Sequence, residues 1–523
     1  MPQETHPAAA HTPTSAPHRP QVGQLCIAIQ GTTPAELMEH AEAAAHDAQF
    51  LEFRLDSVPE PAEAIALLKE FLARHHGLTA IGTCRRQPNG GSFAGSLEAE
   101  LELLLAAAEA GCGIVDLEVE SAEETQSAQM ESFRAGVHAA GASLLVSFHD
   151  FSHTGNLAEA AARIEVYKPE FVKVVSTART LADNLAVLRL IEDRSPHTRI
   201  VGIAMGEEGL VSRVLGPRTG ASFTFAAPDQ GAGTAPGQVT VGTLRELYHI
   251  EKIDKDTRIL GVAGNPIGHS LSPLMHNAAY RLEGVNAVML PLRVRELDDL
   301  LKLTRELPLA GVAVTMPLKL EVLPHLSAMD PLVEKIGACN TLRVGADGKL
   351  SGFNTDVAGV VRPLKRRLRL RGARIAVLGA GGAARAAVFG LVEEGAEVFV
   401  VNRTLETAVK LAAQAGAQAL RMEELATQHF DALINTTPCG MKGVEQQLPI
   451  EENQLNAGLV FDMVYNPLET PLLKLAAARG LQTIGGIEMF VQQGAGQFEI
   501  WTGITAPEAE MQRVVEQALR QRG

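Results

Sequence analysis

Short apolar runs recur at regular intervals through the first half of the chain. They occupy residues 24–30, 49–57, 78–85, 113–119, 143–150, 171–178, 199–206 and 223–228. Between successive runs lies enough chain, with helical periodicity, for a crossover helix. Continuous rather than alternating apolarity suits parallel strands covered on both faces. Eight β/α units in a segment of this length predict a closed TIM barrel rather than an open sheet. Polar residues interrupt the runs: Glu52, Arg54, Arg85, Glu118, Ser147, His149, Asp150 and Lys173. Burying such groups is unfavourable unless they face a site, and barrel chemistry gathers at the carboxyl ends of the strands.

A Gly/Pro-rich stretch follows at 230–238, then a helical pattern to about residue 250 and a charged linker at 251–256. A new strand at 258–263 opens a second α/β region, in which strands and helices alternate to about residue 360. The strand at 374–378 begins a nucleotide-binding unit, and a helix near 488–501 is expected to fold back on the region before it. The expected organisation is a disordered tail (1–22), a barrel (23–252) and a two-lobed α/β unit (253–523). Within that unit, 253–360 plus 488–523 form one lobe and 361–487 form a Rossmann lobe.

Composition narrows the function. A chain of 523 residues is too long for one core. Aromatic residues are only 4%, and acids outnumber bases 61 to 46, giving a net charge of −15. Both features argue against nucleic acid or an anionic membrane as partner. Five scattered cysteines (Cys26, Cys84, Cys112, Cys339, Cys439) form no C-x-x-C pair, so neither a disulfide framework nor a zinc site is expected, and a reducing cytosol fits. No run approaches the roughly 18 apolar residues of a membrane span. The first 22 residues lack the apolar stretch of a signal peptide, and His6, His11 and His18 read as solvated residues rather than metal ligands. A cytoplasmic enzyme acting on small molecules is the expectation; oligomeric state is not encoded in these patterns.

Lys173 is the central residue of the first half. It lies within Phe171-Val-Lys-Val-Val175. A buried lysine loses hydration, which favours the neutral amine that attacks carbonyls. An imine formed there acidifies the neighbouring C–H and permits loss of a β-hydroxyl as water, with His149, one strand earlier, as the base. A rim lysine in a structural ion pair is the alternative. The motifs Glu52-Phe-Arg-Leu-Asp56, Thr83-Cys-Arg85, Ser147-Phe-His-Asp150, Val172-Lys-Val174, Met205-Gly-x-x-Gly-x-x-Ser-Arg213 and Ala235-Pro-Gly-Gln238 occur in this order. Together they resemble the type I 3-dehydroquinate dehydratases over about residues 24–250.

The resemblance implies that Lys173 forms the imine and His149 is the general acid/base. It implies too that Arg213 pairs with the substrate carboxylate and that Glu52, Arg54 and Arg85 hold hydroxyls. Thr234 and Gln238 would belong to a lid. Two positions depart from the family: Asn89, before Gly90-Gly91, stands where a glutamate is usual, and Thr234 replaces a serine. The Asn89 departure predicts a lower His149 pKa and slower turnover. A class I aldolase also uses a barrel lysine, but needs neither Ser-Phe-His-Asp nor Ala-Pro-Gly-Gln.

In the second half, Arg374-Ile-Ala-Val-Leu-Gly-Ala-Gly-Gly-Ala-Ala-Arg385 reads as a strand, a glycine-rich turn and a helix. Gly379, Gly381 and Gly382 let a pyrophosphate approach the helix N-terminus. The next strand, 397–401, ends in Asn402-Arg403-Thr404 rather than an acid. A guanidinium there suits a 2′-phosphate, so NADP(H) is favoured over NAD. Ser270 and Ser272, two apart in a turn, can both donate to one carboxylate, although ordinary turn chemistry explains them equally well. Val314-Thr-Met-Pro-Leu-Lys319, Gly337-Ala-Cys-Asn-Thr341, Gly352-Phe-Asn-Thr-Asp356 and Gln492-Gln-Gly-Ala495 accompany them.

This set resembles the shikimate dehydrogenases over about residues 258–510. The resemblance implies a catalytic pair, Lys319 and Asp356, with Thr315, Asn340 and Gln493 caging hydroxyls and Tyr465 near the carboxylate. It implies a cofactor site at Gly379, Ala380, Gly381, Gly382, Ala383, Asn402, Arg403, Thr404, Thr436, Met463 and Gly486. Ala313 departs from the asparagine often found before Val314-Thr315. Dehydration would yield 3-dehydroshikimate, the substrate of the reduction to shikimate, so reaction order matches chain order. An NAD-dependent quinate-oxidising enzyme is disfavoured by Asn402-Arg403-Thr404. A metabolite-sensing repressor would be free to lose Lys173, His149, Lys319 or Asp356, and all four are present.

Overall fold

The computed structural model describes residues 22–229 and 237–522. The expected tail, apart from its last residue, and Thr234 lie outside the described residues. The chain divides into two compact units, mainly at Lys252/Ile253, with the short segments Thr180–Leu185 and Glu246–His249 grouping with the second.

The first unit contains β1 (Leu25–Ile29), β2 (Phe50–Arg54), β3 (Thr79–Thr83), β4 (Ile114–Glu118), β5 (Ser143–His149), β6 (Phe171–Thr177), β7 (Arg199–Met205) and β8 (Thr224–Ala226). Each expected run contains one of these strands. From β1 to β7 each strand pairs in parallel with its sequence neighbours, and β8 pairs in parallel with β1. The Ser222 N–H donates to the Ile200 carbonyl at 2.8 Å and helps close the barrel between β8 and β7. Alternate residues point inward. Toward the amino ends of the strands the barrel is plugged by Cys26, Phe50, Ile81, Ile114, Leu145, Phe171, Val201 and Phe223. Toward the carboxyl ends the buried residues become polar: Glu52, Asp116, Glu118, Ser147 and Lys173. Register lines up Glu118 with Ser147, and Ser147 with Lys173. The helical pattern expected up to about residue 250 resolves into two short turns, Thr243–Leu247 and Ile250–Lys252. His249, at φ 50°, interrupts it, because a left-handed residue cannot continue a right-handed helix.

The second unit has two sheets. One contains β9 (Arg258–Gly264), β10 (Ala287–Arg293), β11 (Leu309–Val314), β12 (Ala328–Met329), β13 (Thr341–Val344) and β14 (Leu350–Phe353), in the order β10-β9-β11-β13-β14-β12. Only β13 runs antiparallel to its neighbours. The other contains β15 (Arg374–Leu378), β16 (Glu397–Val401), β17 (Gln418–Leu420), β18 (Phe430–Asn435), β19 (Ala457–Asp462) and β20 (Gln482–Ile484). It is wholly parallel, in the order β17-β16-β15-β18-β19-β20. The strand order reverses between β15 and β18, where open α/β sheets bind ligands beyond the strand ends. After β20 the helix Gly486–Thr502 returns to the first sheet, where Trp501 Nε1 donates to the Leu342 carbonyl at 2.9 Å. Gly311 of β11 leaves room for the indole; a methyl there would collide with the ring. No described helix is long and apolar enough to cross a membrane.

Candidate active sites

The carboxyl ends of the barrel strands surround a cavity lined by Glu52, Arg54, Arg85, His149, Lys173, Arg213 and Gln238. The barrel therefore brings together every expected dehydratase residue except Thr234, which lies outside the described residues. Lys173 is buried, but its surroundings differ from those its strand neighbours suggest. Its Nζ donates to Asp116 Oδ2 at 2.8 Å, lies 3.5 Å from Glu52 Oε1 and sits 4.4 Å from the centre of the Phe225 ring. Val172 and Val174 point the other way, into the packing outside the barrel. Burial alone would raise the Asp116 carboxyl; Lys173 and Arg85 outweigh it and hold Asp116 down at about 2. Ser147 Oγ donates to the other Asp116 oxygen at 2.5 Å.

Arg213 is 2% exposed and burial pushes its guanidinium down to about 10. Nη1 donates to the Phe225 carbonyl at 2.7 Å, while Nε has no hydrogen-bond partner among the described residues. A buried guanidinium of this kind is suited to an anionic ligand. Arg54 is already forked onto Asp56, at 2.9 and 2.7 Å, so it reaches the cavity as one half of an ion pair.

His149 is held well below the ordinary imidazole range by burial, then by Arg85 and Lys173. Asn89 makes no contact with the imidazole. The Asn89 amide turns away and donates to Ser121 Oγ at 3.1 Å. The acid beside the imidazole is Glu118, whose Oε1 lies 2.7 Å from Nδ1. The N–H is off that line, so this is a close contact of a neutral imidazole with the carboxyl group rather than a formed hydrogen bond. Phe151 stacks on His149 with ring centres 5.9 Å apart. Gly90, at φ 78°, permits this, since any side chain there would strike the Phe151 ring. Sequence reasoning missed Asp116, Phe151 and Phe225. The spacing of Asp116 and Glu118 in Ile-Val-Asp-Leu-Glu puts both on one strand face, and that signal could have found Asp116.

In the second unit, Lys319 lies on the short helix Leu318–Glu321 just beyond β11, and Asp356 is the first residue of the helix Asp356–Lys365. Lys319 Nζ donates to Asp356 Oδ2 at 2.6 Å. The other carboxylate oxygen accepts from Asn340 Nδ2 at 2.9 Å. Ser270, Ser272, Thr315, Asn340, Tyr465 and Gln493 line one cavity with this pair. The Ser272 N–H donates to Ser270 Oγ at 3.3 Å, which fixes the two hydroxyls as neighbours. Gln493 donates to the Phe490 carbonyl at 2.9 Å, and the Tyr465 ring packs against Phe490. Ala313 lines the same cavity. Gln497, which the motif reading passed over, also lines it and donates to Thr341 Oγ1 at 3.2 Å.

The glycine-rich turn fits a dinucleotide. Gly379 follows β15 at φ 109°, and a Cβ there would lie 2.5 Å from Thr436 Oγ1. Thr436 itself is fixed by donating to the Leu378 carbonyl at 2.6 Å. Nothing lies within 4 Å of where side chains on Gly381 and Gly382 would start, so the backbone there is open to a ligand. Ala380 lies between them and Gly379, and Gly382 and Ala383 open the helix Gly382–Glu393, whose first N–H groups have no partner within the helix. Asn402, Arg403 and Thr404 join β16 to the next helix, Leu405–Ala415. The Asn402 amide donates to the Thr404 carbonyl at 3.0 Å, while Arg403 is exposed and shares a cavity wall with Gly379 and Asn402. Met463 follows β19, and a methyl on Gly486 would lie 2.5 Å from its carbonyl oxygen, so these two expected residues adjoin.

A barrel with a buried lysine at its mouth, followed by a two-lobed dinucleotide-type dehydrogenase, defines a two-activity enzyme class. Four family models match in order: type I 3-dehydroquinase over 25–255, shikimate dehydrogenase substrate binding domain over 262–342, shikimate/quinate 5-dehydrogenase over 363–453, and shikimate 5′-dehydrogenase C-terminal domain over 486–516. The chloroplastic bifunctional 3-dehydroquinate dehydratase/shikimate dehydrogenase of Arabidopsis thaliana is 34% identical, over 90% of this chain and 80% of its own. An NADP(+) shikimate dehydrogenase of Methanosarcina acetivorans is 42% identical over 50% of this chain and 99% of its own. A solved shikimate 5-dehydrogenase of Thermus thermophilus, in complex with NADP(H) and shikimate, is 36% identical over 50% of this chain and 99% of its own, at a TM-score of 0.47. The chain belongs to the bifunctional 3-dehydroquinate dehydratase/shikimate dehydrogenase family.

Proposed function

We propose that the chain converts 3-dehydroquinate to 3-dehydroshikimate and then reduces that product to shikimate with NADPH. Residues 23–252 carry the dehydration and 253–523 the reduction, with 253–360 plus 488–523 gripping substrate and 361–487 the cofactor. Both activities follow from family membership; the residue assignments are this reading's own. Lys173 attacks the substrate ketone to give an imine, His149 takes a proton from the adjacent carbon, and the β-hydroxyl leaves as water. Arg213 grips the carboxylate; Glu52, Arg54, Arg85 and Gln238 complete the pocket.

In the second unit, bound NADPH supplies hydride to the ketone. Lys319 stabilises the developing alkoxide, and Asp356 holds Lys319 and a substrate hydroxyl. Ser270, Ser272 and Tyr465 face the carboxylate, while Thr315, Asn340 and Gln493 face the ring hydroxyls. Gly379 to Ala383, Thr436, Met463 and Gly486 would flank the dinucleotide, and Asn402, Arg403 and Thr404 would hold the 2′-phosphate. Five free, buried cysteines suit the cytosol.

The observation carrying this reading is the convergence of Lys173, His149 and the buried Arg213 on one cavity. Borohydride with 3-dehydroquinate should trap a covalent adduct at Lys173, and 3-dehydroshikimate should drive NADPH oxidation. A folded protein that does neither would refute it.

A further inference from the structure

We infer that Glu118 is the positioning residue that holds His149 for proton transfer in the dehydration, an inference that rests on the proposed dehydratase reading.

Three strands set the arrangement. β3 leads to Arg85, β4 ends at Glu118, and β5 supplies Ser147 and His149. One oxygen, Glu118 Oε1, is in direct contact with Arg85 Nε and lies 2.7 Å from His149 Nδ1, while Ser147 Oγ, whose nearer acceptor is Asp116, stands 3.2 Å away. The Arg85 guanidinium against that oxygen favours the carboxylate form. Burial pushes the Glu118 carboxyl up to about 7; Arg85 opposes this and Asp116 adds to it. The other acids near the imidazole are committed elsewhere. Asp116 is taken by Lys173 and Ser147, and Asp150 accepts from Ser152 and the His153 N–H. Asn89 bonds Ser121.

Which imidazole nitrogen keeps its proton is set by the partner of the other. With Nδ1–H turned to Glu118, Nε2 carries the lone pair and is left for the cavity. Nε2 then takes the proton from carbon while the C–H electron pair moves into the imine, giving an enamine. The imidazolium returns that proton to the leaving hydroxyl, and water departs. Glu118 stays ionised beside the transient imidazolium throughout. The present contact is off the N–H direction, and catalytic hydrogen bonds often align only once substrate tightens the site.

The charges facing this pair come from every neighbouring strand: Arg54 and Glu52 from β2, Arg85 after β3, Asp116 from β4 and Lys173 from β6. Glu100 and Glu120 add negative charge from further out. Removing the Glu118 charge therefore leaves the imidazole among cations, with Asp116 already engaged.

The test is Glu118→Gln in the full chain. Borohydride with 3-dehydroquinate should still trap Lys173. The dehydratase kcat should fall about 10- to 100-fold, the loss seen when carboxylates that orient metal-bound histidines are removed. The acid limb of kcat/KM should move to lower pH, because the amide no longer favours the imidazolium. Glu118→Asp should recover part of both, and Asn89→Asp should leave the limb where it is. A limb unmoved in Glu118→Gln overturns the inference, as does parallel loss of trapping and turnover that Glu118→Asp fails to restore. A wild-type chain that is never trapped would instead remove the dehydratase reading itself.

Discussion

Asn340 offers the sharpest test of how the dehydrogenase site is built. It is 2% exposed and uses both ends of its amide. Nδ2 donates to Asp356 Oδ1 at 2.9 Å and to Thr355 Oγ1 at 3.0 Å. Oδ1 accepts from the Thr355 N–H and from Thr341 Oγ1, both at 2.8 Å. Asn340→Ala strands a buried N–H and a buried hydroxyl, each worth about 1–3 kcal/mol when left unpaired. A water entering the space would recover part of this, so a loss of about 2–4 kcal/mol is expected. The chain has one tryptophan, Trp501, buried at 4% exposure in the second unit. Its fluorescence during urea titration reports that unit, and the barrel is silent. With an m-value of about 3 kcal/mol/M, the midpoint should fall by roughly 1 M. Asp356 also loses a fixing contact, and a displacement on the order of 1 Å of the Lys319 pair would lower dehydrogenase kcat/KM about 10²-fold. Dehydratase activity serves as the internal control and should hold. An unmoved midpoint would refute the reasoning and leave Asn340 as a substrate ligand alone.

Two further outcomes follow from the second unit. Arg403→Ala should raise the KM for NADPH about 10- to 100-fold, the worth of a lost charge-assisted contact, with kcat and the KM for NADH nearly unchanged in initial-rate assays. His276, wholly buried, is pushed down by burial to about 4. The unfolded imidazole, near 6.5, binds a proton that the folded one refuses. Stability is therefore full above pH 6.5 and lost as pH falls toward 4, by up to about 3 kcal/mol. Trp501 urea midpoints at pH 7 and pH 5 measure this slope, and His276→Gln should flatten it.

The barrel was legible because its strands are buried on both faces. Eight continuous apolar runs then stand out, and each contains one observed strand. The Rossmann turn was legible because its geometry demands glycine at 379 and leaves Gly381 and Gly382 uncovered. Side-chain direction was less accessible. Strand neighbours of Lys173 describe the opposite face of β6, so Val172 and Val174 said nothing of Asp116 and Glu52. Asn89 stands close in sequence to the cavity residue Gly90, yet the turn Gln87–Asn89 aims its amide at Ser121. Asp116 escaped notice between Val115 and Leu117, although its spacing from Glu118 puts both acids on one face of β4. The partner of His149 lies on the neighbouring strand, and only the register of β4 against β5 brings Glu118 to it.

The boundary near Lys252 has a consequence for metabolism as well as for folding. Two catalysts translated from one message are made in equal numbers, so regulation of expression cannot alter their ratio. The standing level of the intermediate then depends on the relative turnover of the two units, and a substitution that slows only the later unit would make that intermediate accumulate.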